Sequence, residues 1–589
     1  MSLETLVEKW LDIDKNERTR AEIELLRREG KTDELLARLG SRILFGTAGL
    51  RARMEAGFSR MNDVTVIQAS QGLAEYMLEE SLSTGSPKVV IGHDHRHNSA
   101  RFAKLTASIF LLKGFQVIFL GDGVVPTPFV PFAIDRCGAV GGVMVTASHN
   151  PAADNGYKVY WGNGCQITSP RDSQIQEQIL KNLEPMEAVW DYDRVLETYA
   201  DSVIYSREEI AKAYHKSLCK HLIKSKITSQ FRAVYTPMHG VGLEQVLVAA
   251  GNLGCELEIV TQQAQPDPDF STVKFPNPEE KNALDLAMET ANLKGIDLVL
   301  ANDPDADRFS AAVKVAGKWR QLTGNEIGFL FADYLASELS PEQLSRSYFL
   351  NSTVSSQMIK AVAAKNGCNY EDTLTGFKWI GNKAIDLEKS GYEVPFGFEE
   401  AIGFMFPPIH DKDGISALTV FLRMYDGWLQ KGTNAIEVLQ SGFEKYGFFK
   451  ECNGYYVVPR LDSTEKIFNS TIRSSQKNGS YEFPHTIANY RVVAWRDLTL
   501  GFDSTTPDNV PVLPVDSSSQ MITVVLEPTF GSGSIRFTAR GSGTEPKLKV
   551  YIEATANSEA AASALAKDVW SVLRDSWFKP LEYNLKEVV

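Results

Sequence analysis

Residues 143–151 read VMVTASHNP: an apolar, β-rich run of Val143, Met144 and Val145 turns directly into a corner carrying a hydroxyl, an imidazole and an amide on Ser148, His149 and Asn150. In open α/β sheets the groups that meet ligands stand beyond the carboxyl ends of the strands. The flanking sequence alternates as such a sheet requires. KVVIGHD (88–94), SARFAKLTASIFLLKGF (99–115) and QVIFLGD (116–122) read strand, helix, strand, and a Pro-rich turn and another helix precede GAVGGVMVTASH (138–149). This pattern predicts a largely parallel sheet with covering helices. It recurs in RAVYTPMHG, LEQVLVAAGNLG, LEIVTQ, EEKNALDLAMETAN and IDLVLAND (232–303), and again in SYFLNSTV, SSQMIKAVAAKNG, VPFGFEEA and ISALTVFLRMYDGWL (347–429). Each cycle is about a hundred residues, the size of an α/β domain. Beyond Gly447 the texture changes to YYVVPRL, a polar middle, the strand QMITVVLE, the turn-rich RFTARGSGTEPKLKVYIEA and a last helix, which read as an α+β domain. The expected division is a helical extension over 1–40, α/β domains over 41–205, 206–325 and 326–447, and the α+β domain over 448–589.

At 589 residues the chain exceeds what one hydrophobic core organises, and its 43% hydrophobic and 23% charged residues are those of a globular protein. A net charge of −13 argues against a sequence-independent grip on nucleic acid or on an anionic membrane, which needs a basic face. The six cysteines, with no CxxC pair, suggest reduced thiols in a cytoplasmic protein. The charged, helix-forming start MSLETLVEKWLDIDKNERTR lacks the pattern of a secretory signal, and no apolar run reaches spanning length.

Four stretches carry chemistry. Ser148, beyond its strand, reads either as a helix cap or as a ligand-facing group; His149 beside it and Lys158 in DNGYKVYWGNG favour the second. In LVLANDPDADRFS (298–310), Asp303, Asp305 and Asp307 alternate, and in an extended chain their carboxylates would share one side and repel one another without a cation. An EF-hand is excluded because its sixth position is Arg308 rather than Gly and its twelfth is Lys314 rather than Glu. Three oxygen ligands with room left over suit Mg²⁺; a solvated acidic loop is the alternative. GFEEAIGF (397–404) ends a strand on Glu399 and Glu400, a weak signal alone. RGSGTEPK (540–547) sets a guanidinium, two hydroxyls and two glycines in a turn closed by Lys547, which reads as a phosphate nest or as a plain turn. Two decoys are set aside. His93, His95 and His97 in GHDHRHNS have strand-face spacing but no evident fourth ligand, and Gly240-Val241-Gly242 lacks the third glycine of a dinucleotide fingerprint.

TASHNP, DPDADR, GFEEAIG and RGSGTEPK, in this order and in successive segments, resemble the α-D-phosphohexomutase superfamily over nearly the whole chain. FGTAGLR (45–51), PTPFVPFAI (126–134), DNGYKVYWGNG, PDPDFSTVKFPNPEE (266–280) and LTGFKWIGNKA (374–384) are more similar to its eukaryotic phosphopentomutase branch, a relative of which makes glucose 1,6-bisphosphate. The resemblance implies three similar α/β domains with mixed sheets plus a C-terminal α+β domain around a central cleft. It implies a phosphoryl group carried on Ser148, one Mg²⁺ per chain held by Asp303, Asp305, Asp307 and the serine, and Arg51, Lys158, His149 and Arg308 around them to offset charge or relay a proton. Thr375, Gly376, Glu399 and Ala401 fall at the family's sugar contacts, and Arg540, Ser542, Gly543, Thr544 and Lys547 at its distal phosphate grip. Two departures stand out: Ala401 replaces a serine of many phosphoglucomutases, and Gly403 a histidine of some phosphomannomutases.

The implied activity is a phosphosugar mutase interconverting ribose or deoxyribose 1- and 5-phosphates, and glucose 1- and 6-phosphates, through a phosphoserine and a bisphosphorylated sugar. A sugar 1,6- or 1,5-bisphosphate would prime it. The alternatives are a glucose 1,6-bisphosphate synthase using 1,3-bisphosphoglycerate, and a non-catalytic sugar-phosphate sensor. We expect a monomer acting on small phosphosugars, with no nucleic acid or membrane partner.

Overall fold

The computed structural model describes residues 2–80, 85–475, 481–541 and 546–588. The chain divides into two compact units, Met1–Phe331 with Gly376–Asn434, and Ala332–Thr375 with Ala435–Val589.

The first unit holds two sheets. One runs in the order Leu50–Arg53, Asp154–Trp161, Gly141–Val145, Lys88–His93, Gln116–Phe119, Val203–Tyr205. Its last four strands are mutually parallel. The run GGVMV over Gly141–Val145 is buried at every residue, which is why it reads as continuous rather than alternating apolar sequence: helices cover both faces of a parallel sheet. Val89, Ile91, Val117, Val143 and Val145 pack with Phe102 and Phe110 of the helix Ser99–Leu112 in one core. The second sheet runs Lys318–Gln321, Phe309–Val315, Leu298–Asn302, Ala233–Thr236, Leu257–Ile259, the last three parallel.

The sheets are mixed where alternation alone predicts largely parallel ones, and the reason lies in the motifs. After TASHNP the chain returns antiparallel as Asp154–Trp161, with Lys158 opposite Met144. After DPDADR it returns as Phe309–Val315 beside Leu298–Asn302. After Glu393–Glu399 it turns through EAI and returns as Gly403–Met405. Each motif is thus the turn of a β-hairpin raised at a strand's carboxyl end. Short helices Leu3–Ile13, Glu17–Arg28 and Thr32–Leu39 build a small core of Val7, Trp10, Ile23 and Leu35 against Phe58 and Val64.

In the second unit, Ser347–Ser352 pairs in parallel with Asn369–Thr373. Its largest element is one antiparallel sheet ordered Thr486–Ile487, Tyr490–Asp497, Met521–Pro528, Ser534–Gly541, Lys547–Ala556, Gly454–Val457, Lys586–Val588. Here burial alternates: Leu548, Val550, Ile552 and Ala554 face a core closed by Ala566, Val569 and Leu573 of the helix Glu559–Leu573, and the residues between them do not. Period-two burial is the mark of a sheet with one covered face. The six cysteines are free, and among the described residues no helix is long and apolar enough to cross a membrane.

One glycine shows how tightly the first unit is closed around its turns. A Cβ on Gly240 would lie 2.3 Å from both Cα and O of Pro304, the backbone of the aspartate turn. The first glycine of the apparent dinucleotide fragment therefore serves a close backbone approach. Gly240→Ala should cost about 1–3 kcal/mol of stability through overpacking, read as a lowered thermal midpoint. Gly251→Ala, whose Cβ would meet nothing within 4 Å, should leave the midpoint unchanged or slightly raised; equal behaviour of the two variants would refute the close-approach reading.

Candidate active site

The aspartate loop is a tight turn rather than the extended segment its alternation implies. Ala306 takes φ +56 and its N–H donates to the Asp303 carbonyl at 2.9 Å. The carboxylates converge because the chain folds back, with Asp303, Asp305 and Asp307 at 0%, 0% and 1% exposure. Neighbouring backbone satisfies the turn: N–H groups of Val241, Thr127 and Gly414 donate to the carbonyls of Pro304, Asp305 and Ala306 at 2.8, 2.8 and 3.1 Å. The Glu399 hairpin docks on it through a bridge between Arg308 and Gly403 and through Phe309 N–H donating to the Ile402 carbonyl at 3.1 Å.

Cations ring the carboxylates. Lys158 Nζ donates to Asp305 Oδ2 at 2.6 Å and to Asp307 Oδ2 at 2.8 Å, while Thr127 Oγ1 donates to Asp305 Oδ2 at 2.5 Å. Lys412 Nζ stands 3.4 Å from Asp307 Oδ2 and Arg308 Nε 3.9 Å from Asp307 Oδ1. Burial works to lower the Lys158 pKa, but Asp305 and Asp307 outweigh it and hold the ammonium above its usual range. Burial, then the charges of Asp305 and Asp307, pushes Asp303 well above the carboxylate range. For Asp305 burial is overcome by Lys158, which pulls the carboxyl below its usual value. The surrounding cations thus hold Asp305 low while Asp303 stays raised.

The residues fit a metal ion. One ligand oxygen from each aspartate lies within 4.8 Å of the others. Asp305 Oδ1 and Asp307 Oδ1 are buried without a hydrogen-bond partner, an expensive state unless another group takes them. An all-carboxylate donor set suits a hard divalent cation.

Ser148 meets this cluster from the neighbouring sheet. Its Oγ donates to Asp303 Oδ2 at 2.7 Å and lies 3.2 Å from His149 Nδ1. It adopts φ +52, a left-handed conformation that a non-glycine residue pays for, of order 1–3 kcal/mol. Burial, then the charges of Arg308 and Arg51, holds the His149 imidazole well below its ordinary pKa. Arg51, on Leu50–Arg53, is exposed and its Nη1 donates to Asn150 Oδ1 at 3.0 Å. Glu399 Oε1 accepts from Gly376 N–H at 2.5 Å, and burial followed by the charge of Glu400 pushes its carboxyl up to about 7. The Ala401 carbonyl accepts from Arg308 Nη1 at 3.2 Å.

The first unit therefore brings together Ser148, His149, Lys158, Arg51, Arg308 and the three aspartates, with Glu399 and Ala401 on the hairpin docked beside them and Gly376, at the start of the helix Phe377–Lys389, bonded to Glu399. In the second unit Arg540 Nη1 donates to Thr375 Oγ1, Arg540 Nε is buried without a partner, and Lys547 Nζ lies 5.0 Å over the Tyr455 ring. Ser542, Gly543 and Thr544 lie outside the described residues. Sequence reading missed Thr127 and Lys412. Thr127, between two prolines, carried a faint signal; Lys412, flanked by Asp411 and Asp413, reads as a solvated charge run. The three histidines of GHDHRHNS go to separate partners: His93 Nδ1 donates to the Asp94 carbonyl at 2.7 Å, His95 Nε2 to the Asp267 carbonyl at 3.2 Å, and His97 Nε2 lies 2.8 Å from Asp269 Oδ1.

Comparison with known proteins matches four family models along the chain: Phosphoglucomutase/phosphomannomutase alpha/beta/alpha domain I over residues 42–186, domain II over 212–317, domain III over 323–446 and the C-terminal domain over 519–571. The phosphoribomutase of Saccharomyces cerevisiae is 52% identical, with 98% of this chain and 96% of that protein covered. The glucose 1,6-bisphosphate synthase of Homo sapiens is 40% identical, with 98% and 93% covered. Among solved structures, a phosphoglucomutase/phosphomannomutase family protein from Burkholderia thailandensis shares the fold with a TM-score of 0.62 at 17% identity, over 91% of this chain and 98% of that one. Four domain models matched in order and full-length identity above one half say the same thing: the chain belongs to the phosphoglucomutase/phosphomannomutase family, the α-D-phosphohexomutases.

Proposed function

We propose that this chain is a Mg²⁺-dependent phosphopentomutase that interconverts ribose or deoxyribose 1- and 5-phosphates through a phosphoryl group on Ser148, with glucose 1- and 6-phosphates as secondary substrates. The observation that carries the reading is the Ser148 hydroxyl set 2.7 Å from a buried aspartate triad that has two carboxylate oxygens without a hydrogen bond. A serine at a helix cap has no use for such a neighbour. The pentose preference is supported by the full-length similarity to a phosphoribomutase.

In the forward step a sugar hydroxyl attacks phosphorus, its O–P bond forms as the bond to Ser148 Oγ breaks, and the hydroxyl proton leaves to a nearby base while Oγ regains one. His149, 3.2 Å from Ser148 Oγ, and Lys158, on Asp305 and Asp307, are the candidates for these proton transfers. The bisphosphorylated sugar turns over and returns its other phosphate to Ser148, releasing the isomer. Asp303, Asp305 and Asp307, with Ser148, would hold Mg²⁺, which when bound draws charge from the transferring group; positioning and electrostatics carry most such transfers. Arg308, Arg51 and Lys158 offset phosphate charge. Glu399 with Thr375 and Gly376 read sugar hydroxyls, and Arg540, Ser542, Gly543, Thr544 and Lys547 hold the phosphate that is not being transferred. We take the enzyme to act as a monomer in the cytoplasm, where its six free cysteines would stay reduced, and keep the division at 1–40, 41–205, 206–325, 326–447 and 448–589 as its domain plan.

Two measurements test this. Mn²⁺ or Mg²⁺ titrated into chelator-treated protein should bind at a single site, and Asp305→Asn should weaken that binding at least tenfold, about 1.4 kcal/mol; unchanged affinity would refute the metal assignment. With a bisphosphate primer present, the rate on ribose 1-phosphate should exceed that on glucose 1-phosphate, and Ser148→Ala should abolish both. Net accumulation of glucose 1,6-bisphosphate from glucose 1-phosphate and 1,3-bisphosphoglycerate, without faster isomerisation, would instead favour a synthase.

A further inference from the structure

The residue that aims Ser148 sits in the histidine-rich loop set aside as a zinc decoy. Arg96 lies between the strand Lys88–His93 and the helix Ser99–Leu112, and its side chain has no solvent exposure. Nη2 donates to the carbonyls of Ser148 at 2.6 Å and Asn150 at 2.5 Å; Nη1 donates to those of Pro151 at 2.8 Å and Asp154 at 3.1 Å. One guanidinium thus gathers four carbonyls of the loop that carries Ser148. Its own position is fixed from three sides. Asp94 Oδ1 accepts from Arg96 N–H at 2.9 Å and from Ser99 Oγ at 2.6 Å, Asp94 Oδ2 lies 3.4 Å from Arg96 Nε, and the ring of Phe270 lies 4.8 Å from Cζ. Asn155 Nδ2 closes the far end by donating to the His97 carbonyl and Ser99 Oγ, both at 3.0 Å.

We propose that Arg96 is the positioning residue for the phosphoryl carrier: its fork holds the loop in the curled form that keeps Ser148 left-handed and its hydroxyl aimed at Asp303. The proposal rests on Ser148 being that carrier. Arg96 touches Ser148 only through the backbone carbonyl, so it takes no part in bond making. The need for it is physical. A serine at φ +52 relaxes to negative φ unless the surroundings overdetermine it, and relaxation swings Oγ away from the aspartate turn. Carbonyls turned inward onto a side chain that has no solvent exposure also need donors there. A planar guanidinium supplies them in fixed geometry on one charge, and an ammonium, with its donors on a single atom, does not. Phe270, from the PDPDFSTVKFPNPEE stretch, backs the guanidinium and so ties that stretch to the serine loop.

The test uses Arg96→Lys and Arg96→Gln in the full-length enzyme, with Ser148→Ala beside them. A loss of charge-assisted hydrogen bonds to the loop should lower kcat by about 10- to 150-fold. KM should stay within about twofold, and the Mn²⁺ affinity should fall far less than in Asp305→Asn, because the three aspartates stay in place. Lys should rescue little, because it keeps the charge and loses the fork. Should the Gln variant fail to fold, the Lys variant, which keeps charge and stem, carries the test. Near-wild-type kcat in a folded variant, recovery of full kcat by Lys, or parallel loss of kcat, Mn²⁺ binding and thermal midpoint would overturn the positioning role. An inactive Ser148→Ala with fully active Arg96 variants would refute the positioning role alone; an active Ser148→Ala would refute the carrier reading beneath it.

Discussion

Three carboxylates buried within one turn are the constraint on which the rest of the first unit depends. Two unit charges about 4 Å apart repel by about 1 kcal/mol in water and by about 4 kcal/mol at the effective dielectric of a protein. Asp303, Asp305 and Asp307 have lost that water. The structure answers with Lys158, Lys412 and Arg308 around the turn and still leaves two carboxylate oxygens without a hydrogen bond. Such an arrangement is costly as architecture and makes sense as a place built to receive a divalent cation, with the Ser148 hydroxyl set against Asp303 beside it.

The fold provides this at the carboxyl ends of its sheets. TASHNP and DPDADR each leave a parallel strand, make a tight turn and come back antiparallel. A hairpin fixes the register of the returning strand, so Lys158 is carried opposite Met144 and reaches two of the aspartates. Backbone donors from Thr127, Val241 and Gly414, on three separate connections, then hold the aspartate turn. The left-handed conformations of Ser148 and Ala306 sit where the chain is most heavily tied down. Strain held by its surroundings at a site of chemistry is the usual reason such residues persist.

Much of this was legible in the sequence. The strand–helix alternation around GAVGGVMVTASH marked an α/β sheet with covering helices, and the change of texture after Gly447 marked an α+β domain. The aspartates were read as converging, correctly, but through an extended chain; Ala306 in a left-handed turn does it instead, and no local pattern marks an alanine for that role. Lys412 and Thr127 escaped because their importance is non-local: each reaches an aspartate more than a hundred residues away in sequence. GHDHRHNS and Gly240-Val241-Gly242, set aside as zinc and dinucleotide decoys, have roles that are hidden for the same reason. The first matters through Arg96 and the second through a backbone approach to Pro304, and neither partner is visible within a motif.

The central claim is that Ser148 carries the phosphoryl group between the two ends of the sugar. Mixing the dephosphorylated enzyme with ribose 1,5-bisphosphate labelled in both phosphates, quenching with acid and mapping the peptides tests it directly. The label should reach about one phosphate per chain, as expected for one covalent carrier, on the peptide containing Ser148, and unlabelled ribose 1-phosphate should chase it into sugar phosphates at the rate of turnover. Label absent from that peptide, or present there but chased more slowly than turnover, would contradict it.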